Sequence, residues 1–284
     1  MESLPKEVIR QAVQLALAED LGTGDVTTNS IIPETTTAKA VMRAREPLML
    51  AGIELAEAAF HQLSPAIKIV RLAEDGRRVP PGGVLLEVSG PARPILSAER
   101  VALNFVQRLA AVATLTAQYV EGVQGTKAQI LDTRKTTPGW RPLEKYAVRC
   151  GGGKNHRFAL FDMILIKDNH LAALKDAQPN AIAVAVEKAR RAHPQLKIEV
   201  EADTLDQVEQ AVAAGVNMVL LDNMNPVQLR LAVRMCKGKA QTEASGGVNL
   251  ASVRAIAETG VDFISVGALT HSARAVDIGL DFEL

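Results

Sequence analysis

Residues 198–222 read IEVEADTLDQVEQAVAAGVNMVLLD, and their order decides the fold. An apolar run, Ile198–Val200, leads to a helix cap at Thr204. An amphipathic stretch follows, closed by Gly215, and then a second apolar run, Met218–Leu221. Two strands joined through a helix by short loops must run parallel, with a right-handed crossover. The same rhythm fills the second half of the chain. Gln129–Leu131, Met163–Ile166, Ala240–Ala244 and Phe263–Val266 are further strand-like runs; Asn225-Pro226 opens another helix, and Asn249 caps one that ends at Gly260. Repeated units of this kind predict a parallel sheet with helices outside it, most simply a (β/α) barrel. The alternative is an open doubly wound sheet. Against it, no GxGxxG follows any run, and polar residues follow nearly every run rather than one switch point.

Upstream of about residue 120 the pattern is mixed. A helix over about Lys6–Glu19 carries Val8, Ile9, Ala12, Val13 and Ala16 on one side. After the Gly22–Asp25 loop come an extended stretch at Ala38–Ala44, a helix at Ile53–Leu63, and strand-like runs at Ile67–Leu72 and Val84–Val88. Asp75-Gly76 and Pro80–Gly83 mark turns, and Ser97 reads as the cap of a long helix reaching about Val120. The division expected is an N-terminal α+β domain over residues 1–120 and a barrel over 121–272.

Lys plus Arg and Asp plus Glu are 32 each, so the formal charge is zero, against bulk nucleic-acid or anionic-membrane binding. The longest apolar run, Ala181–Val186, is six residues, far short of the ~20 that span a bilayer. The charged start lacks the apolar core of a secretory signal. Cys150 and Cys236 are too few for a disulfide framework and have no zinc spacing. A cytoplasmic enzyme is the expectation.

In a β/α barrel the chemistry lies at the carboxyl ends of the strands. Reading the residues after each run gives Asp132-Thr133-Arg134-Lys135, Lys167-Asp168-Asn169-His170, Glu201, Asp222-Asn223, Ser245-Gly246-Gly247 and Gly267-Ala268, with Asn155-His156-Arg157 behind Gly151–Gly153. Arg134, Lys135, Arg157 and Lys167, with His156, would repel one another around one mouth unless anions sat among them. Glu201 and Asp222 suit Mg²⁺, which takes one or two carboxylates plus substrate phosphates. The late glycines allow backbone N–H groups to approach a phosphate. The parts describe metal-assisted chemistry on a phosphorylated sugar and a second, acidic substrate. Singly each has a plainer reading: solvated surface cations, a carboxylate paired with a lysine, a glycine that only turns the chain. Arg100 stands out: with Ser97 as the cap it is a cation in the first helical turn, opposed by the helix dipole. Pairing with Glu99 or contact with an anion would explain it.

DTRKTTPGWR (132–141), GGGKNHR (151–157), LIKDNH (165–170), LLDN (220–223), EASGGV (243–248) and VGALTHS (266–272) together resemble quinolinate phosphoribosyltransferases, as do EDLGTGDVTT (19–28) and SAER (97–100). The resemblance covers nearly the whole chain. It implies an N-terminal α/β domain, an open seven-stranded α/β barrel, and a C-terminal tail (273–284) returning to the first domain. It implies homodimers or assemblies of them, in which Arg100 enters the partner's site. It also implies that Arg100, Arg134, His156, Arg157 and Lys167 hold the two quinolinate carboxylates, with Lys135 between the substrates. Glu201 and Asp222 would engage the ribose and Mg²⁺ of 5-phosphoribosyl 1-diphosphate, and Ser245, Gly246, Gly247, Gly267 and His271 its phosphates. Lys135, Glu201 and Asp222 are thereby the expected catalytic groups, in NAD biosynthesis. Rival readings are a related phosphoribosyltransferase acting on another aromatic acid, such as the molybdenum-transport-associated type, a ligand-binding barrel without activity, and a lipoyl- or biotinyl-type carrier module around Asp75–Val88. For the last, Lys68 lies outside the turn that would have to present it.

Overall fold

The computed structural model describes residues Ser3–Glu283. Contacts divide the chain into two units. One holds the chain up to Ala117, Thr137–Gly152 and the chain from Ser272 onward; the other holds Gln118–Thr136 and Gly153–His271.

The first stretch runs α1 (Lys6–Leu21), α2 (Val26–Ile31), β1 (Thr37–Ala44), β2 (Leu48–Met49), α3 (Ile53–Leu63), β3 (Lys68–Arg71), β4 (Arg78–Val79), β5 (Val84–Pro91) and α4 (Ala92–Gly122). Helix α1 buries Ile9, Val13 and Leu17, four residues apart and so on one face. Strand β1 buries Ala38, Ala40, Met42 and Ala44, every second residue, as strand geometry requires. Asp25 caps α2, its carboxylate accepting the Thr28 N–H at 2.9 Å. Lys68 pairs with Ser89 within the β3–β5 ladder rather than standing at a hairpin tip.

Helix α4 begins six residues earlier than a cap at Ser97 suggests. Pro94 falls in its first turn, where a missing N–H costs nothing, so the proline does not delay the helix. Ser97 is therefore interior, and its hydroxyl donates to Asp25 at 2.9 Å. Arg100 lies in the third turn, outside the first-turn dipole field, so the electrostatic oddity read from the sequence disappears.

The chain continues β6 (Gln129–Leu131), α5 (Arg141–Cys150), β7 (Ile164–Ile166), α6 (Asp168–Ala172), α7 (Ala181–Ala192), β8 (Ile198–Ala202), α8 (Leu205–Ala213), β9 (Met218–Asp222), α9 (Pro226–Cys236), β10 (Gln241–Ser245), α10 (Val253–Ala257), β11 (Phe263–Ser265), α11 (Ala268–His271) and β12 (Ile278–Glu283). In the first unit β12 comes back to pair antiparallel with β1, giving the sheet order β12-β1-β5-β3. Arg45 pairs with Asp281 there, and Glu46 accepts from the Asp277 N–H (2.8 Å) and from Arg274 (2.6 Å). Helix α5 also belongs to this unit. Its Glu144, fully buried, accepts from Arg108 at 2.9 Å and from the Thr137 hydroxyl at 2.8 Å.

The second unit is a parallel sheet in the order β6-β11-β10-β9-β8-β7. Strands β7 to β11 follow one another in space as in sequence, while β6, the first, pairs with β11, the last. That wrap-round belongs to a barrel rather than a doubly wound sheet. The seventh place is a single parallel bridge between Leu131 and Lys154. Gly153–Arg157 has no apolar alternation to sustain a ladder, and among the described residues none joins it to β7, so the barrel is open there. Thr204 and Gln207 form a reciprocal cap on α8, and Asn225 caps α9 ahead of Pro226. Asn249 caps a turn rather than α10 itself, accepting from the N–H groups of Ala251 and Ser252.

Candidate active site

Most charged residues anticipated from the strand ends line one cavity of about 710 Å³, within the range of small-molecule sites. Arg134, Lys135, His156, Arg157, Lys167, Glu201, Asp222, Ser245, Gly246, Gly247, Gly267 and His271 all contribute, and every lining residue belongs to the second unit. Arg100, exposed on α4 in the first unit, is not among them. A second cleft of about 800 Å³ lies instead at the amino ends of the strands, bordered by Asn217, Gln241 and Asp262.

The cations divide into distinct places. Arg134 and Arg157 are close enough that the Arg157 guanidinium is drawn below its ordinary range, first by burial and then by Arg134. Nε of Arg134 is buried without a hydrogen-bond partner. Two neighbouring guanidiniums, one with an unmet donor, suit an incoming carboxylate, which their planar forks can grip in pairs. Lys135 lies elsewhere, beside Gly267 and His271: a methyl group on Gly267 would meet Lys135 Cδ and His271 Nε2, each at 3.1 Å. The Lys135 backbone is pinned by the Thr270 hydroxyl, which donates to its carbonyl at 2.7 Å. Lys167 donates to Glu201 at 2.7 Å.

Glu201 and Asp222 end the adjacent strands β8 and β9. Lys167 occupies Oε2 of Glu201, and the Asn223 amide donates to Oδ2 of Asp222 at 2.6 Å. Each carboxylate retains a second oxygen for a ligand. Asn223 holds its place in a left-handed backbone (φ 53°), a conformation asparagine tolerates. Gly246 packs against it so closely that any side chain there would collide with the Asn223 side chain.

Around His156 lies a cluster whose other members, Glu199 and Glu243, the sequence does not single out as functional. Asp132, fully buried, accepts from the Asn155 amide (2.7 Å) and the His156 N–H (2.8 Å), which draws the irregular 154–157 segment against the end of β6. His156 Nε2 stands 2.9 Å from Glu199 and 3.3 Å from Glu243, both effectively without solvent exposure. Burial, the largest influence, works against a charged imidazole, while the two carboxylates favour a proton on it. The other ring nitrogen opposes a charged ring as well. Nδ1 accepts the Arg157 backbone N–H at 2.8 Å, which a protonated Nδ1 could not do. Both demands are met if Nε2 alone carries the ring proton and a further proton rests on the glutamates. Burial first, then Glu243's charge, push the Glu199 carboxyl upward accordingly. His156 lines the cavity, while its Nε2 faces Glu199 and its Nδ1 accepts the Arg157 N–H. The available signal was a glutamate inside each apolar run: Glu199 shares strand parity with Glu201, and Glu243 with Ser245.

Two family models match this chain: the quinolinate phosphoribosyl transferase N-terminal domain over residues 25–110 and the C-terminal domain over 112–281. Among curated relatives, the nicotinate-nucleotide pyrophosphorylase [carboxylating] of Mycobacterium leprae is 43% identical over 281 residues, 97% of each chain. The probable nicotinate-nucleotide pyrophosphorylase [carboxylating] of Bacillus subtilis is 43% identical over 94% of this chain and 90% of its own. Of solved structures, the Francisella tularensis nicotinate-nucleotide pyrophosphorylase superposes with a TM-score of 0.93 at 41% identity, covering 99% of this chain and 98% of that one.

Proposed function

This chain belongs to the quinolinate phosphoribosyltransferase family, and from that premise we propose that it joins the phosphoribosyl group of 5-phosphoribosyl 1-diphosphate to quinolinate, with loss of CO₂. The products are nicotinate mononucleotide and pyrophosphate, a step in NAD biosynthesis. The observation that carries the reading is the pairing of Arg134 with Arg157, one guanidinium with an unmet buried donor, in the same cavity as the Glu201–Asp222 pair.

Arg134 and Arg157 grip the carboxylates of quinolinate, and Lys167 adds a third cation on the Glu201 side. The apolar side chains of Leu165, Leu220 and Val266 offer a surface for the ring. Glu201 and Asp222, each with an uncommitted oxygen, fit a hard cation that keeps most of its water and shares phosphates with its ligands. A bound Mg²⁺ would supply charge neutralisation on the diphosphate. Gly246, Gly247 and Gly267 leave room for phosphate groups, with Ser245 and His271 as donors beside them, and Lys135 lies between the two substrates.

The pyridine nitrogen forms its bond to the sugar C1 as the C1–O bond to pyrophosphate breaks. The resulting pyridinium draws electrons toward the adjacent ring carbon. When the carboxylate there departs as CO₂, its electron pair stays on that carbon and takes up one proton. The protein's part is positioning and preorganised charge.

Arg100, exposed and remote in sequence from the barrel cations, is assigned to the partner subunit's site in a homodimer. Cys150 and Cys236 are free and buried, which suits the cytoplasm, and among the described residues no helix is long and apolar enough to cross a membrane. Incubation of the protein with quinolinate, the diphosphate donor and Mg²⁺ should yield nicotinate mononucleotide by chromatography. A folded protein that yields none in the complete mixture refutes the assignment. Mixing Arg100→Ala and Lys135→Ala chains should restore activity if sites are shared, and no recovery after proven subunit exchange removes the dimer from the proposal.

A further inference from the structure

The proposed reaction does not itself call for Glu199 or Glu243, yet both are among the most deeply buried charged groups in the second unit. By composition, His156, Glu199 and Glu243 could hold a metal ion, since their ligand atoms lie within 4.8 Å of one another. The hydrogen bonds argue otherwise. Nδ1 is committed as an acceptor to the Arg157 N–H, so the ring proton sits on Nε2, the nitrogen that would have to face the metal. What remains is a clamp on one tautomer. Nε2–H donates to Glu199 with Glu243 alongside, while Nδ1 holds the backbone of the next residue.

That next residue is Arg157. Its segment has only the one-residue bridge at Lys154 where a strand would give a full ladder. Asp132 holds it from one side through Asn155 and the His156 N–H, and His156 holds it from the other. We propose that Glu199, His156 and Glu243 form a positioning unit that fixes the Arg157 guanidinium for the acidic substrate, and that His156 itself makes no nitrogen contact with that substrate. The inference rests on the reading that Arg157 grips a carboxylate.

A double-mutant cycle tests it. In the otherwise intact chain, His156→Ala raises the quinolinate KM about tenfold, the scale expected when a binding group is displaced by a fraction of an ångström. In an Arg157→Ala background the same change moves KM by less than about twofold, because the group being positioned is gone. An equal factor in both backgrounds shows that His156 acts on the substrate directly and overturns the proposal. Should His156→Ala not fold, His156→Gln, which keeps a donor toward Glu199 but lacks the Nδ1 acceptor, replaces it in the cycle.

Nitrogen-15 NMR of the histidine-labelled wild-type protein gives a second, independent readout. Comparison with His156→Gln assigns the signals. The expected pattern is an unprotonated Nδ1 and a protonated Nε2, unchanged when quinolinate is added. A doubly protonated ring, or a shift of either nitrogen to a new partner with quinolinate, refutes the clamp. An Arg157→Ala chain with normal quinolinate KM refutes instead the underlying functional reading and leaves the tautomer result standing, so the two failures are distinguishable.

Discussion

Gly246→Ala is the most demanding test of the phosphate side of the cavity. Gly246 has φ 93°, and an alanine there carries a left-handed penalty of about 1–2 kcal/mol. Its methyl would also strike the Asn223 side chain and come within 2.9 Å of the Asn223 backbone nitrogen. Asn223 has little freedom to retreat. Its N–H donates to the Ser245 carbonyl at 2.9 Å, and its amide holds Asp222. Moving Cγ of Asn223 from 2.6 Å to the 3.4 Å of ordinary contact needs a shift of at least 0.8 Å, and it carries the Asp222 carboxylate along. If a 1 Å misplacement costs about 100-fold, a shift of this size costs about 40-fold, or about 2.2 kcal/mol in the barrier. The expected result is a fall of about 40-fold in kcat/KM for the diphosphate donor. Quinolinate affinity, measured by calorimetry, stays unchanged, since Arg134 and Arg157 belong to other strand ends. The thermal midpoint falls by only about 2–4 °C for each kcal/mol of strain. A variant whose kcat/KM stays within twofold of wild type refutes the proposed coupling of Gly246 to Asp222. So does one whose activity falls only in proportion to its unfolded fraction.

Three other perturbations separate stability from binding. Tyr146→Phe removes the 2.7 Å hydrogen bond to Asp75, a half-buried carboxylate that also accepts from the N–H groups of Gly52 and Ile53 at the start of α3; denaturant titration should show a loss of about 1–2 kcal/mol. Asp25→Ala removes the α2 cap and should cost about 1 kcal/mol at neutral pH. Hydrogen bonds from the Thr28 hydroxyl and N–H hold the Asp25 carboxyl below its ordinary range, so this stabilisation is complete above the unfolded value of about 3.9 and is lost as pH falls through the lower folded value; the gap between wild type and variant should close in acid, and a gap that widens there contradicts the assignment. Lys167→Ala should leave stability within about 1 kcal/mol, because its pair with Glu201 is half exposed, yet raise the quinolinate KM about tenfold; an unchanged KM removes Lys167 from the acid-binding group.

The barrel was legible because its information is local. Thr204, Asn225 and the apolar runs report where a helix starts or a strand lies without knowing what packs on them. The long helix was misplaced at its start because Ser97 has the right chemistry for a cap but donates to a residue 72 positions away. Helix α5 gave no clear signal of its own. Seven of its ten residues are buried, Glu144 and Lys145 among them, so its charged side is covered as well as its apolar one, which sequence patterning does not foretell. Its place in the first unit depends on tertiary partners such as Arg108 and Thr137 that the local pattern cannot show.

The candidate site divides along the same physical line. Residues that follow an apolar run are visible because the run ends where they begin, and those residues line one cavity. Glu199 and Glu243 lie within their runs, where a single charge interrupts an apolar pattern no more than a solvent-facing residue would. Their meaning depends on a partner contributed by Gly153–Arg157, a segment too irregular to be read as a strand. A buried carboxylate is costly unless something donates to it, so two of them in the runs on either side of β9 imply a shared donor between them. His156 was recognised from its motif as a cation for substrate. The implied donor is the same residue, which under the positioning role proposed above keeps Nε2 on Glu199 and Nδ1 on the Arg157 N–H. The demand for a partner, rather than the count of positive charges around the mouth, is what distinguishes a residue that binds the acid from one that holds the residue that does.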